Sequence, residues 1–344
     1  MNRQVALSAV LLAAACGRSA TPPAPSGTPP PAKLEAIRAV PAATPPAATP
    51  PGEMATPKNA AMVIRVPPRN NGRIRAGSTV LFKNIQRAEK PNLVVIGGGL
   101  AGPGDWPWAV ALIGDLNGDG NGRLFCGGAL VADQWVLTAA HCGVDAADWA
   151  FIDEIDLAHP ATSPVGIDHV CTYDQFNPET YDFDIALVQL RQPVQSTLSP
   201  LTDGNPNWEQ PNVPAAVLGW GSVTQSINPA NQLYLATIPI VSNADCESVL
   251  SAQSSDPNDQ KKITQTELCA GSQGAFGACM GDSGGPLLVS KGTPGSWVQV
   301  GVVSWGSDCS KTPNYGVYTR VSAVRDWIDA TLRGDTQHCR VANP

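Results

Sequence analysis

Long apolar runs are almost missing from this 344-residue sequence. The one near its start, residues 5–15, is too short to span a bilayer as a mature helix, and no later segment is apolar enough to cross one. Helical periodicity is equally scarce: apolar residues recur at helical spacing only near residues 324–332, and short β-rich runs separated by Gly, Pro and Asn fill the rest. That excludes a helix bundle and argues for an all-β fold with one terminal helix. Positive charge is scarce over most of the chain. Residues 95–344 hold 10 Lys or Arg against 26 Asp or Glu, net −16, whereas residues 1–94 hold 12 against 3, net +9, which together make the overall −7. So acidic a body repels nucleic acid and other polyanions, and the basic first part is long enough to fold back on it. An acidic surface that serves only solubility reads the same way.

Cysteine is plentiful, nine in all, which suggests export to an oxidising compartment. The first residues agree. Met1-Asn2-Arg3 is a short positive start, residues 5–15 are an apolar stretch and Ala13-Ala14-Ala15 is a small-residue exit, so residues 1–15 read as a signal peptide. Cys16 follows directly. It suits a lipoprotein signal, in which the cysteine is lipidated and tethers the chain to a membrane; an ordinary secretory signal is the other reading, since Ala13 stands where leucine is more usual. Residues 16–57 are rich in Pro, Ala and Thr, favour extended polyproline II and cannot build a core, so they form a disordered tether. Residues 58–94 mix apolar and basic residues and read as a basic, partly ordered pro-segment.

Three segments carry chemistry. Cys279-Met280-Gly281-Asp282-Ser283-Gly284-Gly285-Pro286 wedges a serine among glycines, where the backbone turns sharply and the amides of Gly281 and Ser283 are able to donate to a developing oxyanion. A serine hydroxyl is a poor nucleophile until a base takes its proton, and that base must be held by a third group. Leu137-Thr138-Ala139-Ala140-His141-Cys142 offers the base, and Asp184, at the mouth of the strand Ile185-Ala186-Leu187-Val188, offers the orienting carboxylate. Asp182 is its rival. His159 and His169 lie in no comparable motif and read as surface or strand histidines.

With its order of His, Asp, Ser and the sequences flanking all three, the chain resembles the trypsin/chymotrypsin-like serine endopeptidases over about residues 95–333. The strand-to-helix setting and Ser, Asp, His order of the α/β-hydrolase esterases are absent. The resemblance implies two six-stranded antiparallel barrels over residues 95–344, with His141, Asp184 and Ser283 as catalytic residues in the cleft between them. It implies protein or peptide substrates and no metal or organic cofactor. It also implies disulfides Cys126 to Cys142, Cys246 to Cys269 and Cys279 to Cys309. Cys171 and Cys339 are left over, either bridged to pin the tail or present as thiols.

Val95-Ile96-Gly97-Gly98 resembles the family's mature N-terminus, whose new amino group, released by an activating protease, inserts and pairs with the aspartate before the nucleophile, here Asp282. The chain would thus be a zymogen. Residues before that bond are Pro91-Asn92-Leu93-Val94, without the Lys or Arg that trypsin-like activators need, so an elastase-like protease or the enzyme itself suits it better. By the same resemblance Ser304-Trp305-Gly306 lies beside an extended substrate, and a specificity pocket is built from Gly277, Ala278, Met280, Gly306 and Gly316. No acid stands at its floor, and three glycines leave it deep, which implies cleavage after Phe, Tyr, Leu or Met; Asp308 would sit near the entrance. Residues 115–121 have the oxygen spacing of half a calcium loop, but Cys126 stands where its closing Glu belongs, so a polar hairpin tip is the stronger reading.

Overall fold

The computed structural model describes residues 63–64, 80–81, 99–115, 122–221, 230–254, 260–274, 277–307 and 311–341. The chain divides between Lys58 and Asn59, and every described residue falls after that point. The signal peptide, Cys16, the tether, Val95, most of the calcium-like loop, Asp308 and Cys309 lie outside the described residues. Of the basic pro-segment, only two short strands are described, β1 (Val63–Ile64) and β2 (Val80–Leu81), paired antiparallel.

The body is two closed, six-stranded antiparallel barrels. β4 (Ala109–Gly114), β5 (Arg123–Ala132), β6 (Trp135–Thr138), β7 (Trp149–Ile152), β8 (Val165–Tyr173) and β9 (Ala186–Leu190) make the first, in the order β8-β7-β4-β5-β6-β9, closed by β8 on β9. β10 (Pro214–Gly219), β11 (Tyr234–Val241), β12 (Glu267–Ser272), β13 (Pro286–Ser290), β14 (Trp297–Gly306) and β15 (Asn314–Arg320) make the second, in the order β10-β13-β14-β15-β12-β11, closed by β10 on β11. Each barrel carries one short extra strand: β16 (Cys339–Val341) lies on β8, and β3 (Gly99–Leu100) on β11.

The patterns that make these strands differ with their surroundings. β11 alternates, with Ala236, Ile238 and Ile240 buried and Thr237 and Pro239 exposed, as a half-solvated strand does. β4 is buried at all six positions, and its near-continuous apolar run follows from that. A seam of Ala216, Leu218, Trp220, Leu233 and Leu288 from the second barrel shares one core cluster with Trp106, Trp108, Leu130 and other residues of the first.

One sequence expectation needs correction. A second α-helix accompanies the terminal one: α1 (Asn243–Gln253) is capped by Ser242, whose hydroxyl oxygen accepts from the Asp245 N–H at 3.1 Å. Only Cys246 and Leu250 of α1 are buried, so it has no apolar stripe to read. The terminal helix, α2 (Val321–Leu332), buries Val321, Val324, Trp327, Ile328 and Thr331 along one face, and that face packs on Leu137, Ile185 and Leu187 of the first barrel. The tail then returns to β8, where Cys171 is bridged to Cys339. Bridges also join Cys126 to Cys142 and Cys246 to Cys269, and Cys279 is in a disulfide as well.

Candidate active site

His141 sits on a single tight turn, Ala140–Cys142, directly after β6. Gly143 ends the turn at φ 60°, and the Cys126–Cys142 bridge ties it to β5. Asp184 is fully buried just before β9. A carboxylate there is costly unless its oxygens accept hydrogen bonds, and its oxygens do. Oδ1 accepts from the His141 backbone N–H at 2.8 Å, and Oδ2 lies 2.6 Å from His141 Nδ1 and accepts from the Ser304 hydroxyl at 2.5 Å. Its main-chain oxygen accepts from the Thr319 hydroxyl at 2.7 Å. Nδ1 therefore carries its proton toward Asp184, and Nε2 is left as the acceptor of the neutral ring. Asp182 turns elsewhere: Oδ1 accepts from the hydroxyls of Thr264, at 3.0 Å, and Thr266.

Ser283, half-buried, lies on the turn between Cys279 and β13. Asp282 N–H donates to the Cys279 carbonyl and Gly285 N–H to the Asp282 carbonyl, at 3.0 and 2.9 Å, which coils the turn. Its position is set from both sides: the Gly284 N–H donates to Val303 of β14 at 2.8 Å, and the Ser283 carbonyl accepts from Gly127 of β5 at 2.7 Å. Gly284 has φ 80°, and a Cβ on it would stand 2.2 Å from Thr138 Oγ1, so no other residue fits between this turn and the end of β6 that leads to His141. The turn bearing Ser283 and the turn bearing His141 thus meet across the two barrels.

The buried Asp282 carboxylate lies against Gly219 and Gly221, at the end of β10 in the second barrel. Oδ1 accepts from the Gly221 N–H and Oδ2 from the Cys279 N–H, both at 2.8 Å, and a Cβ on Gly221 would fall within 2.6 Å of both carboxylate oxygens. Burial raises its pKa to about 6 in spite of those two donors.

Gly277 and Ala278 are half-buried, Met280 is 56% exposed, and Gly306 faces Gly316 in the β14–β15 ladder. Buried Asn314 lies beside Gly277, its carboxamide 3.1 Å from where a Cβ would be. Tyr318 is fully buried with its hydroxyl beside Gly316, and burial, then Asp282, push its phenol pKa up.

Sequence reasoning missed Asn314 and Tyr318, together with Tyr181, whose ring stands edge-on to His141 at 5.6 Å. It also missed Glu267, which accepts from the Trp305 indole N–H at 2.9 Å. Ser304, expected only beside a substrate, has its hydroxyl on Asp184. Glu267 gave no such signal, because it follows the polar run Thr264-Gln265-Thr266 and stands at the first position of β12, where an acid reads as exposed. Among the described residues the sulfurs of Cys126 and Cys142 lie with His141 within 4.8 Å of one another, but they are bonded as a disulfide and offer no thiolate to a metal.

Residues 95–328 match the family Trypsin. Among curated proteins, the suppressor of tumorigenicity 14 protein homolog of Bos taurus is 35% identical over 254 residues, covering 69% of this chain and 28% of that relative. Serine protease 56 of Mus musculus is 34% identical over 247 residues, covering 69% and 38%. The chain thus spans well under half the length of these curated relatives. Among the described residues, no helix is long and apolar enough to cross a membrane.

Proposed function

The chain belongs to the trypsin family, and from that premise we propose that it is an exported serine endopeptidase using His141, Asp184 and Ser283. The observation that carries this reading is the buried Asp184 carboxylate, held on His141 Nδ1 at 2.6 Å and on the His141 N–H at 2.8 Å. That arrangement leaves Nε2 to take the proton from Ser283 as its oxygen attacks the scissile carbonyl, and Asp184 stabilises the imidazolium that forms. The amides of Gly281 and Ser283 receive the oxyanion, the imidazolium gives its proton to the departing amine, and water then hydrolyses the acyl-enzyme by the same steps. No cofactor takes part.

The substrates are proteins or peptides, cut after a large apolar residue such as Phe, Tyr, Leu or Met. Gly277, Gly306 and Gly316 leave room for such a side chain, and the neutral carboxamide of Asn314 lies beside the floor position where an acid would be needed to pair Lys or Arg. The protein is made as a zymogen cut between Val94 and Val95 by another protease or by itself. The buried Asp282 supports this, because a new amino terminus beside it would supply the cation that its two backbone donors do not. Cys16 is lipidated and the tether holds the enzyme at the cell envelope; with an ordinary signal peptide it is released instead.

The test is N-terminal sequencing of protein matured in its own host, together with labelling by a fluorophosphonate probe. A mature chain starting at Val95 and labelled on Ser283 is the expected result. An uncut chain whose Ser283 stays unlabelled even after trimming would overturn the reading in favour of a protease-like binding module.

A further inference from the structure

Glu267 is a buried acid for which the catalytic mechanism has no use. It opens β12 at 2% exposure. Its Oε1 accepts from the Trp305 indole N–H at 2.9 Å and its Oε2 from the Thr264 N–H at 2.8 Å. Thr264 reaches in a second direction, since its hydroxyl lies 2.7 Å from that of Thr266 and both donate to Asp182. The backbone on either side of Asp182 is unusual. Tyr181 has φ 61° and Phe183 φ 54°, left-handed conformations that bulky residues adopt only where their surroundings hold them. One chain of hydrogen bonds therefore joins Trp305, at the open end of β14 next to the Ser304 bonded to Asp184, with the loop whose Tyr181 ring stands against His141.

Resting on the endopeptidase reading, we propose that Glu267 is a positioning residue for extended substrates. It fixes the Trp305 indole, and through Thr264 and Asp182 the Tyr181 loop, so that the two aromatic side chains hold a set spacing on which several substrate residues bind. The substrate class is a peptide extended along residues 304–306; an ester of a single amino acid does not reach these walls.

Among the described residues, the charged groups around Glu267 are few. Asp182 faces it from the loop before β9, and the Arg320 guanidinium, at the end of β15, donates to the Glu267 main-chain oxygen and pairs with Glu209. From α1 the neutral Asn243 side chain donates to that same main-chain oxygen. Burial, aided by the Asp182 charge, raises the pKa of the carboxyl, so that it gains its proton above the pH at which an ordinary Glu does. Once protonated, it presents a hydroxyl to one of two N–H donors, and the grip on Trp305 weakens.

The experiment compares a tetrapeptide amide with a single-residue ester that shares the residue at the cut, using protein matured from the full-length chain. Glu267→Gln keeps the shape but must turn its NH2 toward one of the two donors. We expect the tetrapeptide KM to rise about tenfold, with the ester KM and both kcat values within about twofold. In the wild type, the ratio of tetrapeptide to ester KM should rise on acidification above the pH at which an ordinary Glu gains its proton and stay flat in the variant; pH effects on machinery that both substrates share cancel in that ratio. Should Glu267→Gln fail to fold, Trp305→Phe, which removes only the indole donor and its ring, must raise the tetrapeptide KM more than the ester KM and abolish the acid-dependent ratio. Equal losses on both substrates, an unmoved tetrapeptide KM or a wild-type ratio flat with pH would each overturn the proposal while Ser283 still labels. If Ser283 does not label and neither substrate is cut, the endopeptidase reading falls and takes this one with it.

Discussion

The two barrels follow one plan, yet they hold their shares of the candidate site in opposite ways. In the first, His141 stands on a turn tied down by the Cys126–Cys142 bridge, and the buried Asp184 meets donors on both carboxylate oxygens and on its main-chain oxygen. In the second, Ser283 rides a glycine-rich turn whose buried Asp282 has only two backbone N–H donors among the described residues and is pushed up to about 6. The lesson is electrostatic: one buried carboxylate is satisfied by the fold as it stands, whereas the other remains costly to ionise and suits a cation supplied later.

The sharpest way to test the contrast is to remove one member from each side. Ser283→Ala should lower kcat by about 10⁶ and Asp184→Asn by about 10⁴, since Asn leaves His141 in the wrong tautomer while keeping its place. Burst titration with an active-site ester would check both, and Asp184→Asn retaining wild-type kcat would remove Asp184 from the mechanism. The first barrel's tail offers the next test. Replacing Cys171 and Cys339 together by Ala, which opens a closure 168 residues apart in sequence, should lower unfolding stability by about 4 kcal/mol in denaturant titration.

A pH effect follows for the second barrel. The Asp282 carboxyl titrates near its ordinary 3.8 in the unfolded chain and near about 6 in the fold. Between those values the folded protein holds a proton that the unfolded one has lost, so stability of the uncut protein falls as pH rises from about 4 to about 6, by about 3 kcal/mol, and stays low above that. Urea midpoints across that range should show the slope, and Asp282→Asn should lose it; a slope unchanged in the variant would place its origin elsewhere. The smallest effect expected is at the crossing between barrels. Thr319→Val removes one donor to the Asp184 main-chain oxygen and should cost about 1 kcal/mol, with kcat nearly unchanged.

Much of the architecture was legible because its signals are local. Period-two alternation marks β11, the apolar spacing of residues 324–332 marks α2, and His141, Asp184 and Ser283 each stand in a short stretch that can be read by itself. The sequence alone determined the all-β class, the acidic body behind a basic first part, and the three segments that bear the candidate site, since each is a matter of composition or of neighbours a few residues apart. Only the tertiary structure decided that Asp182 turns to Thr264 and Thr266, that the Ser304 hydroxyl is on Asp184, that Asn314 lies beside Gly277, that Trp305 rests on Glu267, and that residues 339–341 add a strand to β8. Those contacts join residues tens to more than a hundred positions apart. Hydrogen bonds and packing at such separations leave no periodic trace in the chain and exist only once both barrels have closed.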